Sequence, residues 1–305
     1  MSGGGSTGGK ARVAVLGAGT MGSGIAQASA MAGHEVRLFD PSPGALDRAS
    51  NAIRKSLDRF VKSSKVGSGE ADEAERRIAR VASASEAVGE AGVVIEAAPE
   101  SLELKQMLLR EVASSAPAEA LLGTNTSQLS ITALGSPLGD AAERLVGMHF
   151  FNPPVMMRLV ELVRGLATTD ESVARATAFA EGIGKEVVVC RKDSPGFITT
   201  RAYAALRQEC LRMLEEDLAS PEDIDKALRL AFNFPMGPLE LSDFNGLDVY
   251  VDAVSALADA HGERFRPPVG VRNLVADGRY GRKAGRGFYR YDEDGRKIEG
   301  SGQYS

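Results

Sequence analysis

Short apolar runs alternate along the first two thirds of the chain with longer stretches whose apolar positions recur at helical spacing. The runs over 12–16, 35–39, 92–97, 120–123, 144–149, 159–163 and 186–190 read as strands, and the stretches over 22–31, 45–60, 101–113 and 171–181 as helices between them. That alternation is the pattern of βαβ units closing a parallel sheet, which predicts an α/β fold with a doubly wound sheet. The Ser- and Gly-rich stretch 63–70 reads as a loop inside an otherwise helical hairpin. Near residue 192 the pattern changes. Ser194-Pro195 reads as a helix start with proline at the first helical position, and the following 90 or so residues carry no strong strand run. Ile198, Ala202, Leu206, Cys210, Met213 and Leu214 are spaced for one buried stripe, and Ser220-Pro221-Glu222-Asp223 marks a second helix start. The predicted organisation is a disordered leader over 1–10, an α/β domain over 11–191 and an all-helical domain over 192–305.

Composition narrows the function. The 305 residues, 43% hydrophobic and 25% charged, suffice for full cores without cross-links. A net charge of -5 argues against nucleic acid, which requires clustered Lys and Arg, while leaving room for small anionic ligands. Cys190 and Cys210 lack zinc-ligand spacing, so no metal site is expected, and they read as free thiols of a cytoplasmic protein. No apolar window is long enough for a membrane span, and the opening MSGGGSTGGK has the character of neither a signal nor a transit peptide.

In VAVLGAGTMGSGIA, Gly17, Gly19 and Gly22 form G-x-G-x-x-G directly after a strand run and directly before a helical one. This is the dinucleotide fingerprint of Rossmann-type domains: one glycine for the tight turn, one for the approach of a pyrophosphate, one for packing of the helix on the strand. The second strand ends in Phe39-Asp40, 23 residues after Gly17. A carboxylate there accepts hydrogen bonds from both adenine-ribose hydroxyls and repels a 2′-phosphate, so NAD is expected rather than NADP.

Of three histidines, His34 reads as surface punctuation and His261 as solvated. His149 ends a strand run, at the edge where open α/β sheets bind ligands. Twelve residues on, Glu161 sits inside the apolar run Leu159-Val160-Glu161-Leu162-Val163, where a carboxylate needs a partner. His149 on an adjacent strand is the economical one. Such a pair suits proton removal from an alcohol, the carboxylate fixing the imidazole tautomer and stabilising the imidazolium, and it also suits a purely structural ion pair. The polar stretch Thr124 to Ser127 follows another strand run, placed either for ligand contact or to cap the next helix.

The segments GAGTMGSGIA, EAAPESLELK, NTSQLS, HFFNPP, PGF, FPMGPLEL and GRKAGRGFY, in this order, resemble the (S)-3-hydroxyacyl-CoA dehydrogenases of the bacterial 3-hydroxybutyryl-CoA dehydrogenase type. The resemblance implies an acyl-CoA substrate, Ser127 bonded to the substrate oxygen, His149 as general acid/base and Glu161 as its orienting partner. It implies NAD contacts from Gly17, Ala18, Gly19, Thr20, Met21 and Gly22, and from Asp40, Glu100, Lys105, Asn125, Asn152 and Lys283, together with a homodimer built through the helical domain. Read on their own, Glu100 and Lys105 also fit an exposed helix-start ion pair, and Lys283 a solvated cation. Coenzyme A is implied along the helical hairpin after the second strand, where Ser56 matches a family contact. The family's phosphate-binding lysine position falls on Ser63, leaving Lys62 and Lys65 to serve. The family's PGF-x-x-N pattern ends here in Thr200, expected to line the active site. These departures keep a carrier-protein thioester or a non-thioester hydroxy acid open as substrate. An NAD-binding protein without catalysis is a further reading, against which the joint retention of Ser127, His149 and Glu161 speaks.

Overall fold

The computed structural model describes residues 10–304, so the leader expected over 1–10 lies, apart from Lys10, outside the described residues. These residues divide into two compact units, the first ending at Phe197 and the second beginning at Ile198.

The first unit is built on one eight-stranded sheet: β1 (Val13–Leu16), β2 (Val36–Phe39), β3 (Ile78–Arg80), β4 (Val93–Glu96), β5 (Leu121–Thr124), β6 (Leu145–Phe150), β7 (Leu159–Arg164) and β8 (Glu186–Cys190), in the order β3-β2-β1-β4-β5-β6-β7-β8. Its helices are α1 (Thr20–Met31), α2 (Ala45–Lys62), α3 (Ser68–Arg76), α4 (Ala84–Val88), α5 (Leu102–Ser115), α6 (Ile131–Gly135) and α7 (Asp170–Gly182). Strand alternation divides the core: Val13 and Val15 pack with Ile25 of α1 on one face, and Ala14 and Leu16 with Leu109 of α5 on the other. β1 therefore has β2 on one side and β4 on the other, and the chain switches direction there, which opens a crevice at the carboxyl ends of the strands.

All seven predicted strands are present, and the structure adds β3, a three-residue edge strand too short to leave a pattern. The sheet is not wholly parallel, because β7 runs antiparallel to β6. The link over 151–158 is too short for a parallel crossover, a signal already present in the sequence. The loop expected over 63–70 is shorter, since α3 begins at Ser68 and the Glu70 carboxylate accepts from the Gly67 N–H at 2.9 Å. His34 is not surface punctuation: it is buried, with Nδ1 2.8 Å from the Ala11 carbonyl and its ring against Phe179. A ring with one satisfied nitrogen packs like an apolar residue.

The second unit comprises α8 (Thr199–Glu215), α9 (Pro221–Phe232), α10 (Pro238–Asn245), α11 (Leu247–His261) and α12 (Val269–Ala276). Ser220 caps α9 as its motif predicts, accepting from the Asp223 N–H at 3.1 Å. Ser194-Pro195 does not open a helix, because Phe197 at φ 47° interrupts the backbone before Thr199. The predicted stripe on α8 holds from Leu206 onward, with Cys210 and Leu214 buried and Leu206 and Met213 packed against the same core, but not at its start. Ile198 is 48% exposed and Ala202 is exposed, whereas Ala204, Arg207, Gln208 and Leu211, outside the predicted stripe, are buried. A reading that scans for apolar residues missed a buried face containing an arginine and a glutamine. His261 is half-buried beside Phe265 rather than fully solvated. Both cysteines are buried and are not joined in a disulfide. Among the described residues, no helix is long and apolar enough to cross a membrane.

Candidate active site

At the carboxyl end of β1 each fingerprint glycine answers a different steric demand. Gly17 holds φ 105°, and a Cβ there would lie 2.5 Å from the Ala97 carbonyl oxygen; at Gly22 it would lie 1.8 Å from the Gly17 carbonyl oxygen. Gly19 differs, since a Cβ would meet nothing within 4 Å. Its lack of a side chain serves no protein contact and leaves open space in front of α1. The first turn of α1 has no acidic residue and no side-chain cap, so its N–H groups face that space unclaimed. Ala18 and Gly22 are buried, Met21 packs against the core, and Thr20 is exposed at the rim. Asp40, just past β2, accepts from the Ala18 N–H at 2.7 Å through Oδ2 and from the Ser42 N–H at 2.8 Å through Oδ1. It thereby ties the glycine loop to the next turn, with lone pairs remaining for diol hydroxyls. The open approach at Gly19, the bare helix end and the carboxylate together fit a dinucleotide.

His149 and Glu161 are register partners across the antiparallel β6–β7 pair, with Nδ1 2.8 Å from Oε2. Glu161 is 0% exposed and His149 8%. The imidazole lies against Phe151, with ring centres 4.4 Å apart, and more loosely against Phe197. With Nδ1 committed to the carboxylate, Nε2 is the nitrogen available to exchange a proton with a ligand. The sequence argument from a costly buried carboxylate identified this contact.

The same argument, applied to Glu96 at the end of VVIE, would have found a second pair that sequence reading missed. Glu96 and Lys105 are both 0% exposed, with Nζ 2.8 Å from Oε1. Glu96 also accepts from the Thr124 hydroxyl at 2.6 Å and the Ala98 N–H at 2.5 Å. Burial pushes its carboxyl above the ordinary range against the pull of Lys105. The Lys105 ammonium further donates to the carbonyls of Ala98 at 3.0 Å and Asn125 at 3.1 Å. Lys105 is therefore not part of an exposed pair; α5 carries it over the end of β4, and protein acceptors use its protons beneath the loops rather than at the ligand surface. Glu100 lies 3.7 Å from that ammonium and accepts from the Thr126 hydroxyl at 2.6 Å and the Ser127 N–H at 3.1 Å. Ser127 is exposed at the sheet edge. Asn125 Oδ1 accepts from the Phe150 N–H at 3.0 Å, which fixes its amide next to His149 and leaves the NH₂ to donate. The helix-capping alternative for this stretch falls instead to Ser130, which caps α6.

Asn152 is exposed just beyond β6. The turn after it is held by Lys185, a buried ammonium that donates to the carbonyls of Pro154 at 2.5 Å and Met157 at 2.9 Å; burial without a carboxylate lowers its pKa. Sequence reading also missed this residue. A cleft of about 550 Å³ runs from Thr20 past Pro154 and Met156 to α2, where Ser56, Arg59, Phe60, Ser63 and Lys65 line it. Ser56 and Lys65 are thus brought together, and Lys62 is not: it sits off the face that carries Ser56, Arg59 and Ser63 at helical spacing. Arg59 is the lining cation that sequence reading did not name. In the second unit Thr200 is half-buried in the first turn of α8. Lys283 is exposed and pairs with Asp248 at 2.6 Å.

Known proteins share this architecture. The model of the 3-hydroxyacyl-CoA dehydrogenase NAD-binding domain matches residues 12–194, and that of the same family's C-terminal domain matches 196–291. A probable 3-hydroxybutyryl-CoA dehydrogenase of Bacillus subtilis is 38% identical over 92% of this chain and 98% of its own. A 3-hydroxyadipyl-CoA dehydrogenase of Escherichia coli is 41% identical over 94% of this chain, which spans only 60% of that protein. The crystal structure of (S)-3-hydroxybutyryl-CoA dehydrogenase from Ralstonia eutropha superposes with a TM-score of 0.89 at 38% identity, over 93% of this chain and all of that one. With both domain models matched in order, the chain belongs to the 3-hydroxyacyl-CoA dehydrogenase family of NAD-binding oxidoreductases.

Proposed function

We propose that the protein interconverts (S)-3-hydroxyacyl-CoA and 3-oxoacyl-CoA of short acyl chain, with His149 as the acid/base. The observation that carries this reading is the His149–Glu161 contact at the carboxyl edge of the sheet, on the same edge as the glycine loop. Bound NAD supplies the two-electron acceptor for C3 of the substrate. Nε2 of His149 takes the C3 hydroxyl proton as the carbonyl forms, and Glu161 stabilises the imidazolium. Ser127 donates to the same substrate oxygen, and Thr200 to the thioester or a bridging water.

Gly17 to Gly22 and Asp40 would hold the pyrophosphate and adenine ribose. Glu100, Asn125 and Asn152 would flank the nicotinamide half, Lys105 would act by holding Ala98 and Asn125, and Lys283 would be a further cofactor contact. Ser56, Arg59 and Lys65 along the cleft suit the pantetheine and phosphates of coenzyme A, with Lys62 as a more distant charge. A homodimer through the helical unit is supported by exposed Leu230, Phe232, Phe244 and Val249.

A thioester on a carrier protein is the second reading, favoured by Ser63 in the cleft where the family carries a lysine. Following NADH oxidation with acetoacetyl-CoA, a carrier-bound acetoacetyl thioester and free acetoacetate separates the cases. Turnover of the CoA ester is the expected result; turnover of free acetoacetate alone, or of none, overturns the proposal.

A further inference from the structure

Lys185, between α7 and β8, is 8% exposed, and among the described residues no carboxylate pairs with its ammonium. Lys105, also buried, faces Glu96. Burying an ammonium without a counter-charge is costly, and burial lowers the Lys185 pKa accordingly. Fastening a carbonyl does not require that cost. A hydroxyl suffices elsewhere in the same unit, where Thr168 donates to the Leu145 carbonyl at 2.6 Å. What the cation holds is therefore the question.

Its ammonium donates to the carbonyls of Pro154 at 2.5 Å and Met157 at 2.9 Å. The Pro153 carbonyl accepts from the N–H groups of Met156 at 2.9 Å and Met157 at 3.0 Å, and the Arg158 carbonyl from the Glu186 N–H at 2.7 Å. The carbonyls of residues 153, 154, 157 and 158 are thus used within the protein, and the two prolines have no N–H to offer. Pro153, Pro154, Val155 and Met156 line the cleft of about 550 Å³ whereas Lys185 does not, so the carbonyls it takes point away from the cleft. The turn presents apolar side chains there, while α2 supplies Ser56, Arg59 and Lys65. The turn also rests directly on α1, since a Cβ at Gly24 would lie 2.7 Å from Cδ of Pro154. One wall of the cleft is therefore held between a buried cation and a helix that has no room for a methyl group.

We propose that Lys185 is a positioning residue for the substrate: by drawing the carbonyls of Pro154 and Met157 to its ammonium it holds the 153–157 turn as the apolar wall of the cleft, and so sets the KM for the acyl-CoA without taking part in proton transfer. This rests on coenzyme A lying in the cleft, as in the function proposed above.

The test follows NADH oxidation by acetoacetyl-CoA in the wild type, Lys185→Met and Gly24→Ala. Methionine keeps most of the apolar stem and removes the donor. Lys185→Met should raise the KM for acetoacetyl-CoA about tenfold, the value of one charge-assisted hydrogen bond, while kcat and the Kd for NADH stay within about twofold. Gly24→Ala pushes the same wall from α1 with Lys185 intact, and should raise the same KM by a smaller factor. An unchanged KM in Lys185→Met overturns the proposal. So does a joint loss of kcat, NADH affinity and Tm in that variant, the mark of a general structural fastening. If Lys185→Met does not fold, Gly24→Ala decides alone, an unchanged KM refuting the wall. If the wild type does not turn over acetoacetyl-CoA, the dehydrogenase reading fails separately. Calorimetry with coenzyme A on the wild type and Lys185→Met then tests the wall without turnover: weaker binding in the variant supports it, and equal Kd values or no binding at all refute it.

Discussion

The two units bury carboxylates in different ways. In the sheet unit, Glu161 and Glu96 each face a titratable nitrogen, His149 and Lys105, brought alongside by strand register or by the next helix. In the helical unit, Asp225 and Asp243 are held by neutral donors. Asp225 accepts from the N–H groups of Leu239 and Glu240 and the hydroxyl of Tyr289, and Asp243 from those of Phe288 and Tyr289 and the hydroxyl of Tyr291. A carboxylate facing a proton-carrying nitrogen can do chemistry or hold a charge at the site. One wrapped in amides and hydroxyls fastens loops.

The largest effect that would break this contrast is on turnover. His149→Ala should lower kcat by about 10² to 10⁴ with NADH binding retained, and Glu161→Gln should cost less because the imidazole survives. Near-normal kcat in His149→Ala would reduce the pair to a strut. Glu96→Gln comes next: it leaves the buried Lys105 ammonium with only the more distant Glu100 as counter-charge and should cost about 3–5 kcal/mol in urea unfolding, much of it recovered by adding Lys105→Met. Strict additivity of the two substitutions would deny the pair.

Asp243→Asn should cost only about 1–3 kcal/mol, since its lost partners are neutral. It also sharpens the contrast through pH. Burial pushes the Asp243 carboxyl up to about 6 despite its three donors, while the unfolded chain titrates near about 4. Between those values the folded state binds more protons, so this residue's contribution to stability falls as pH rises across the window, and Asn should remove that slope. The smallest effect is on cofactor choice, where preference for NAD over NADP should reach at least about tenfold in kcat/KM, or about 1.4 kcal/mol. Equal rates with both cofactors would remove Asp40 from the discrimination.

What the sequence made legible follows the same division. Glycines at a strand end and a carboxylate inside an apolar run are local anomalies, so the dinucleotide loop and the His149–Glu161 contact could be read directly. Glu96 carried the same anomaly inside the predicted strand over 92–97, but its partner Lys105 lies on the following helix rather than on a neighbouring strand, where the argument looked. Arg59 was hidden because its inclusion in the cleft, and the exclusion of Lys62, depend on which side of α2 faces Pro154. Arg207 and Gln208 were illegible for a deeper reason. A helix face buried through aromatic rings and amide hydrogen bonds has no apolar periodicity to detect.

Asp40 carries a consequence for how such a protein can diverge. The carboxylate that stands where ribose specificity is set is also the strut joining Ala18 of the glycine loop to Ser42. A lineage drifting toward a phosphorylated cofactor must discard that carboxylate and lose both fastenings in one step, near the stability threshold at which proteins persist. A permissive change that braces the loop by other means has to come first, so the route to a new cofactor preference is ordered in time.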